Sequence, residues 1–116
     1  MEKKDPQNIQ ERTFEFGVRI VDLVNRIPRT LAGEVLARQL VRSGLSVGSN
    51  VEEADGAESI NDFIHKMSIA HKEARESRHW PRVILRTIMK DDPKVQSLWK
   101  EADEIVRLLF TIIKNS

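Results

Sequence analysis

Hydrophobic residues recur every three or four positions along most of this 116-residue chain, which is the spacing of one face of an α-helix. The first such stretch, over about residues 10–27, carries two neighbouring apolar files. One file consists of Phe14, Gly17, Val18, Val21, Val24 and Pro28, and the other consists of Phe16, Ile20, Leu23 and Ile27. A single packing seam needs only one file, so we interpret the second as a surplus that indicates self-association.

The second stretch follows Thr30, a residue suited to a helix N-cap, and ends near Gly56. The helical spacing places one set of residues on the inward face: Leu36, Leu40, Ser43, Val47, Asn50, Val51 and Ala54. Gly44 and Gly48 lie within it, although a glycine in a helix interior costs about 0.5–1 kcal/mol relative to alanine. Close approach of another helix backbone would offset that cost. The stretch therefore predicts a tightly packed helix pair.

Two more helices follow, each with its own start signal. Ser59 and Asp62 resemble a capping box, and the apolar file behind them contains Phe63, Met67, Ala70, Ala74, Ser77, Pro81, Ile84 and Ile88. Pro81 lies inside this pattern and predicts a bend or a restart. Asp92 and Pro93 open the fourth helix, whose file is Val95, Leu98, Trp99, Ala102, Ile105, Val106, Leu109, Ile112 and Ile113.

Four amphipathic helices with short connections predict an all-α fold, an antiparallel up-down four-helix bundle. We expect a disordered lead-in over residues 1–9 and one bundle domain over residues 10–115. We place an oligomer interface on apolar residues that exceed the packing seams of helices one and four. These residues are Phe16, Ile20, Leu23, Leu108 and Phe110.

Composition narrows the possible functions. The chain has no cysteine, which excludes disulfides, thiolate catalysis and cysteine-based metal sites. No stretch approaches the roughly 18 apolar residues of a membrane span, so we expect a cytoplasmic protein without a membrane partner. The net charge is only +1, and a surface for nucleic acid must therefore be local.

One such surface is predicted on the third helix, on the side away from its apolar file. The residues that share this side are His65, Ser68, Lys72, Arg75, His79, Arg82 and Arg86, and they include no acid. They extend over about 31 Å at 1.5 Å per residue. We take Lys72, Arg75, His79, Arg82 and Arg86 as candidate nucleic-acid-binding residues. The alternative is an ordinary solvated face whose charges pair with Glu73 and Glu76.

Polar residues on the second helix suggest a structural network. Asn50 faces inward, where a polar residue often fixes helix register through an interhelical hydrogen bond. Glu53 is one turn away and is expected to join it, together with Arg42 or, as alternatives, Arg38 or an arginine of helix three. Trp80 and Trp99 are expected to be anchors in the core or at a subunit interface, with base stacking as the alternative.

Catalytic constellations are absent from the sequence. Asp62-x-x-His65 and Glu76-x-x-His79 each resemble half of a di-metal site, but they lie on one helix about 21 Å apart and cannot share a metal. The serine- and glycine-rich segment over residues 43–50 lacks the Lys-Ser/Thr ending of a phosphate-binding loop. The three histidines lie on helix three and form no triad with a serine. We therefore expect no enzymatic activity, metal, cofactor or small-molecule substrate.

Two motifs resemble a known family. They are Q-L-x-R-S-x-x-S-V-x-x-N-V-x-E-A over residues 39–54, and I-A-x-K-E-A-R-E-S-x-x-W over residues 69–80, with Asp62-Phe63 between them. Over about residues 13–113 the chain resembles the four-helix-bundle proteins encoded by 23S rRNA intervening sequences. This resemblance implies a left-handed bundle assembled as a ring-shaped homopentamer, without an established enzymatic activity. A related branch serves as accessory proteins of diversity-generating retroelements.

The resemblance and the residues together give three hypotheses. The first is a non-catalytic homo-oligomeric scaffold for RNA, DNA or a ribonucleoprotein. The second is an accessory protein that binds a retroelement reverse transcriptase and its RNA, as the related branch does. The third is a module that binds only proteins, with the basic side of helix three serving solubility.

Overall fold

The computed structural model describes residues 8–116 as four helices without a strand in that range. The helices are α1 (Ile9–Val24), α2 (Leu31–Asp55), α3 (Ile60–Arg86) and α4 (Pro93–Lys114). Residues 1–7, which hold most of the expected lead-in, lie outside the described residues. Asn8 is the N-cap of α1, so the first helix begins one residue earlier than predicted.

Neighbouring helices pack against each other in the order α1, α2, α3, α4 and back to α1. The diagonal pairs α1–α3 and α2–α4 make no such backbone approach. Because the three connections are short, each helix must run opposite to the one before it. The prediction of an antiparallel four-helix bundle is therefore confirmed. The bundle measures 44 × 30 × 20 Å.

The three N-caps predicted for α2, α3 and α4 are confirmed. The Thr30 hydroxyl accepts a hydrogen bond from the Gly33 amide at 3.0 Å, and the Ser59 hydroxyl accepts one from the Asp62 amide at 3.0 Å. Asp92 accepts from the amides of Lys94 and Val95 at 2.9 and 3.1 Å. These caps satisfy backbone donors that have no partner inside the helix.

The faces of α1 are the reverse of the predicted ones. Phe16, Ile20 and Leu23 are 1%, 0% and 4% exposed and belong to the core. Phe14 and Val18 of the other file are 61% and 43% exposed. This corrects the oligomer interface, because residues buried in their own bundle cannot contact a second folded copy. Helical spacing defines two adjacent apolar files, but the position of the neighbouring helices decides which one is buried.

The close approach predicted for the glycine-rich helix is confirmed at the α1–α2 contact. A Cβ atom on Gly44 would lie 2.8 Å from Cγ1 of Ile20, and one on Gly48 would lie 3.2 Å from the Thr13 carbonyl oxygen. On the other side of α2, the buried Ser43 and Ser77 hydroxyls lie 3.1 Å apart across the α2–α3 contact. Small residues on α2 therefore bring both neighbouring helices close.

Pro81 does not restart the third helix, as α3 continues through it from Ile60 to Arg86. The proline ring is buried, which stabilises it at this position. Proline has no N–H to donate to the Ser77 carbonyl one turn earlier. The Ser77 hydroxyl itself donates to the Glu73 carbonyl at 2.8 Å. Because α3 is continuous through Pro81, the charged residues before and after the proline lie on one helix.

Candidate nucleic-acid interface

The basic side predicted for helix three is exposed along α3. Lys72, Arg75, His79, Arg82 and Arg86 are all exposed, and so are His65 and Ser68 before them. The four Lys and Arg side chains form no ion pair within residues 8–116. From Lys72 to Arg86 they extend over about 21 Å of rigid helix. We call Lys72, Arg75, His79, Arg82 and Arg86 the α3 basic file.

The acids considered as partners of this file are engaged elsewhere. Glu73 is nearly buried, and its carboxylate lies 3.2 Å from Nη1 of Arg42 on α2. Glu76 also accepts a hydrogen bond from Arg42, and this bond is the main cause of the raised pKa of the Arg42 guanidinium. Because both carboxylates pair with Arg42 of α2, they do not neutralise the basic file.

Ion pairing between helices leaves most of the remaining acids on one side of the molecule and most of the remaining bases on the other. Most of these bridges join a base of α1, of α2 or of the turn between them to an acid of α3, of α4 or of the residues between them. They are Arg12 with Glu101 and Glu104, Arg26 with Asp92, and Arg42 with Glu73 and Glu76. These pairs neutralise bases in the first half of the chain and acids in the second half.

The charges left over are therefore largely segregated. Most exposed acids without an ion pair in the described chain lie on α1, on α2 and in the turn after it: Glu11, Glu15, Asp22, Glu34, Glu52, Asp55 and Glu58, whereas Asp91 lies between α3 and α4. Most exposed bases in the same state lie on α3, on α4 and between them: Lys72, Arg75, Arg82, Arg86, Lys90, Lys94, Lys100 and Lys114, whereas Arg29 and Arg38 lie in the first half of the chain. A net charge of +1 thus conceals a basic side that can attract a polyanion.

A groove of about 510 Å³ lies beside the α3 basic file, between α3 and α4. Lys72, Arg75, His79 and Arg82 line one wall, and Trp99 lines the other. Asp103 at the groove is held by Arg78 of α3 at 2.9 Å and by Arg107 one turn along α4 at 2.9 Å. The sequence did not predict this groove, because the relative register of α3 and α4 is a tertiary property.

The polar network predicted for Arg42, Asn50 and Glu53 is not formed. The Asn50 amide donates to the Ser46 carbonyl of its own helix at 2.8 Å, so it does not fix the register between helices. Glu53 pairs with Lys66 of α3 at 3.2 Å. Arg42 bonds to Glu73 and Glu76 instead. Each of the three residues thus makes its own contact.

The two tryptophans differ in their surroundings. Trp80 packs against the core, as predicted, and its ring meets His79 at 5.0 Å in an edge arrangement. Trp99 is half-buried at the α3–α4 groove. Both indole N–H groups are buried and have no hydrogen-bond partner within residues 8–116. Neither ring is therefore fixed by a polar contact.

A second surface feature is an apolar groove of about 390 Å³ between α1 and α2. Phe14, Val18 and Val21 line it from α1, and Leu45 lines it from α2. All four side chains are between 42% and 61% exposed. Of the residues predicted for the oligomer interface, only Phe110 is also largely exposed, and Leu108 is half-buried.

Residues 8–116 present neither a metal centre nor a membrane span. No three or more His, Asp or Glu side chains in that range are grouped to hold a metal ion. None of the four helices combines the length and the apolar character needed to cross a membrane.

The fold and this surface define a small helical-bundle protein with one mainly basic side and one mainly acidic, partly apolar side. Residues 6–111 match the family described as 23S rRNA-intervening sequence protein, and the chain belongs to that family. It is also similar to the crystal structure of a protein of unknown function from the S23 ribosomal protein family of Bacteroides thetaiotaomicron VPI-5482. The two are 38% identical, with a TM-score of 0.84, over 91% of this chain and 98% of the other. A comparison with curated proteins found no match.

Proposed function

We propose that this protein is a non-catalytic, homo-oligomeric scaffold that binds RNA, alone or within a ribonucleoprotein, through the α3 basic file. The observation that carries the proposal is the set of cations Lys72, Arg75, Arg82 and Arg86 on one rigid helix, none of which forms an ion pair within residues 8–116. Cations that need not break an internal ion pair can replace the counterions of a phosphate backbone. The family name, which refers to an rRNA insertion, agrees with an RNA partner.

We propose further that the copies assemble through the α1–α2 apolar groove into a ring, the pentamer that the family resemblance implies. Exposed acids such as Glu52 border this groove. A two-fold contact centred on this side would set acids against acids, whereas a head-to-tail contact sets it against a different face of the next copy. Head-to-tail contacts that close produce rings. Repetition of the α3 basic file around a ring would add avidity.

The test is retention of RNA by the purified protein over a salt series. We expect binding at low salt that weakens steeply as salt rises, because phosphate contacts release counterions. Arg75, Arg82 and Arg86 changed together to Glu should abolish retention while leaving the helical circular dichroism spectrum unchanged, since all three side chains are exposed.

A matched control reverses charge elsewhere on the same side of the bundle. Lys94, Lys100 and Lys114 of α4 are also exposed and without ion pairs in the described chain, and changing them together to Glu alters the net charge by the same amount. If both triple variants lose RNA equally, net charge and not the α3 basic file governs binding. If the wild-type protein retains no RNA at low salt, the function is wrong and a protein-only module is favoured.

A further inference from the structure

We propose that the groove between α3 and α4 receives an unpaired base of single-stranded RNA, with Trp99 as the stacking surface. The phosphates next to that base would contact Lys72, Arg75 and Arg82. The inference rests on the proposed RNA-binding function and specifies the form of RNA that is bound. The inference follows from the shape and lining of the groove beside the α3 basic file as well as from the charge of that file.

The first argument is the size and composition of the groove. Its volume of about 510 Å³ falls within the roughly 300–1,000 Å³ of sites that bury small organic molecules. One wall carries cations and the other carries an indole. This combination of a charged track and an aromatic surface is how proteins bind single strands, because every base has a face that can stack.

The second argument is electrostatic. A free carboxylate in the groove would repel phosphate, but Asp103 lies between Arg78 and Arg107, each at 2.9 Å. Glu76 is likewise held by Arg42. The acids at the groove are therefore neutralised by bases other than Lys72, Arg75 and Arg82, which keep their charge for the ligand.

The third argument concerns the form of the RNA. In a duplex the bases are stacked inside the helix, and the A-form major groove is too deep and narrow for side chains to read. A duplex bound along α3 would touch the cations and leave the Trp99 groove empty. A single strand can place phosphates on the cations and a base in the groove at once, so it should bind more tightly than a duplex of equal length.

Intrinsic fluorescence provides the test, because Trp80 and Trp99 are the two tryptophans of the chain. Trp80→Phe leaves Trp99 as the reporter, and Trp99→Phe leaves Trp80. Each replacement costs no hydrogen bond among the residues that the structure describes, since neither indole N–H has a partner there. The probes are an oligouridine of roughly ten nucleotides, within the usual range of single-strand sites, and an RNA duplex of the same length.

We expect the oligouridine to quench the Trp80→Phe protein and the duplex not to do so. The Trp99→Phe protein should show no quenching, yet it should bind the oligouridine nearly as well as wild type, because phenylalanine still stacks. Trp99→Leu keeps apolar bulk without the ring and should weaken oligouridine binding by roughly 5- to 150-fold, the equivalent of one lost stack. Its duplex binding should be unchanged.

Two other results would contradict the inference in different ways. If both RNA forms bind equally and Trp99→Leu changes neither affinity, the groove takes no base, although the α3 basic file still binds RNA. If neither form binds at low salt, the proposed function fails together with the inference. Should Trp99→Leu fail to fold, quenching in the Trp80→Phe and Trp99→Phe proteins still decides between these results.

Discussion

At the scale of single residues, a few close contacts determine how the helices approach. Gly44 faces Ile20, whose side chain is fully buried, so an added methyl group has no free volume to enter. Gly33 is tighter, because a Cβ there would lie 1.9 Å from the backbone oxygen of Pro28. Gly56 is open, with only the Glu53 carbonyl at 3.9 Å.

These distances predict an order of stability for three alanine variants. Gly44→Ala should lose about 1–2 kcal/mol, since overpacking costs about 1–3 kcal/mol and the helix gains less than 1 kcal/mol from alanine. Gly33→Ala should lose more, because backbone cannot rotate away as a side chain does. Gly56→Ala is the control and should change stability by less than about 0.5 kcal/mol. Urea unfolding followed by circular dichroism, at one protein concentration, measures all three.

His71 predicts a pH dependence of stability. Burial lowers the pKa of its imidazole below the ordinary value of 6.5, with Arg75 and Arg78 acting in the same direction. The centroid of its ring lies 6.2 Å from the centroid of the Phe110 ring. When the folded-state pKa is the lower one, the unfolded chain binds the proton first. Stability should therefore fall as the pH drops below 6.5.

His71→Gln should reduce this acid-induced loss, as measured by the difference in urea midpoint between about pH 7.5 and about pH 5.5. His65→Gln removes an exposed imidazole from the same helix and controls for the loss of a titratable group. An unchanged difference in the His71→Gln protein would contradict the assignment.

At the scale of elements, the connection between α3 and α4 combines a strained residue with a cap. Asp91 has φ 58°, in the left-handed region that favours glycine. Asp92 caps α4 and also accepts from Arg26 at 2.9 Å, and the Arg26 bond is the largest cause of its lowered pKa. Asp91 therefore destabilises the connection through its backbone conformation, whereas Asp92 stabilises it through its hydrogen bonds.

Substitutions at the two positions should have opposite signs. Asp91→Gly should stabilise the protein by about 0.5–1 kcal/mol, and Asp92→Ala should lower the Tm by several degrees. Because the lowered pKa of Asp92 stabilises the fold only while the carboxylate is charged, the Asp92→Ala loss should shrink as the pH falls below 3.8. Thermal unfolding of the two variants over a pH series measures both effects. Equal shifts of the same sign would contradict this account of the loop.

The elements also mark what the sequence can predict. Thr30, Ser59 and Asp92 were identifiable as caps because a cap depends on residues within three positions of it. The buried face of α1 could not be identified in this way, because Phe14 and Phe16 are equally apolar. Only the positions of α2 and α4 around α1 decide which of the two is buried. Asn50 shows the same limit, since its hydrogen-bond partner is chosen by the distance to the next helix.

At the scale of the whole molecule, the α3 basic file was predictable and the groove beside it was not. Exposure of Arg75 and Arg82 follows from helical spacing within α3. Trp99 reaches the same groove from α4, 24 positions after Arg75, so its role depends on how the two helices align. The segregation of charge is also tertiary, because it arises from which acids meet which bases across the bundle.

The ring assembly that we propose gives the last prediction. Val18 lies in the α1–α2 apolar groove and is 43% exposed, so Val18→Glu should leave the bundle folded. A buried carboxylate would destabilise a contact between copies by several kcal/mol if it stayed charged there. Light scattering during size-exclusion chromatography should then report a shift from the ring to the mass of one chain.

Two control substitutions separate this surface from the rest of the bundle. Ile60→Glu changes a residue that is 66% exposed at the start of α3, and it should leave the mass of the assembly unchanged. Leu23→Glu changes a core residue and should lower the helical content, because it introduces an unpaired charge among apolar side chains. A wild-type protein with the mass of one chain would contradict the ring. A Val18→Glu protein that keeps the wild-type mass would move the interface elsewhere, and exposed Phe110 would be the next residue to test.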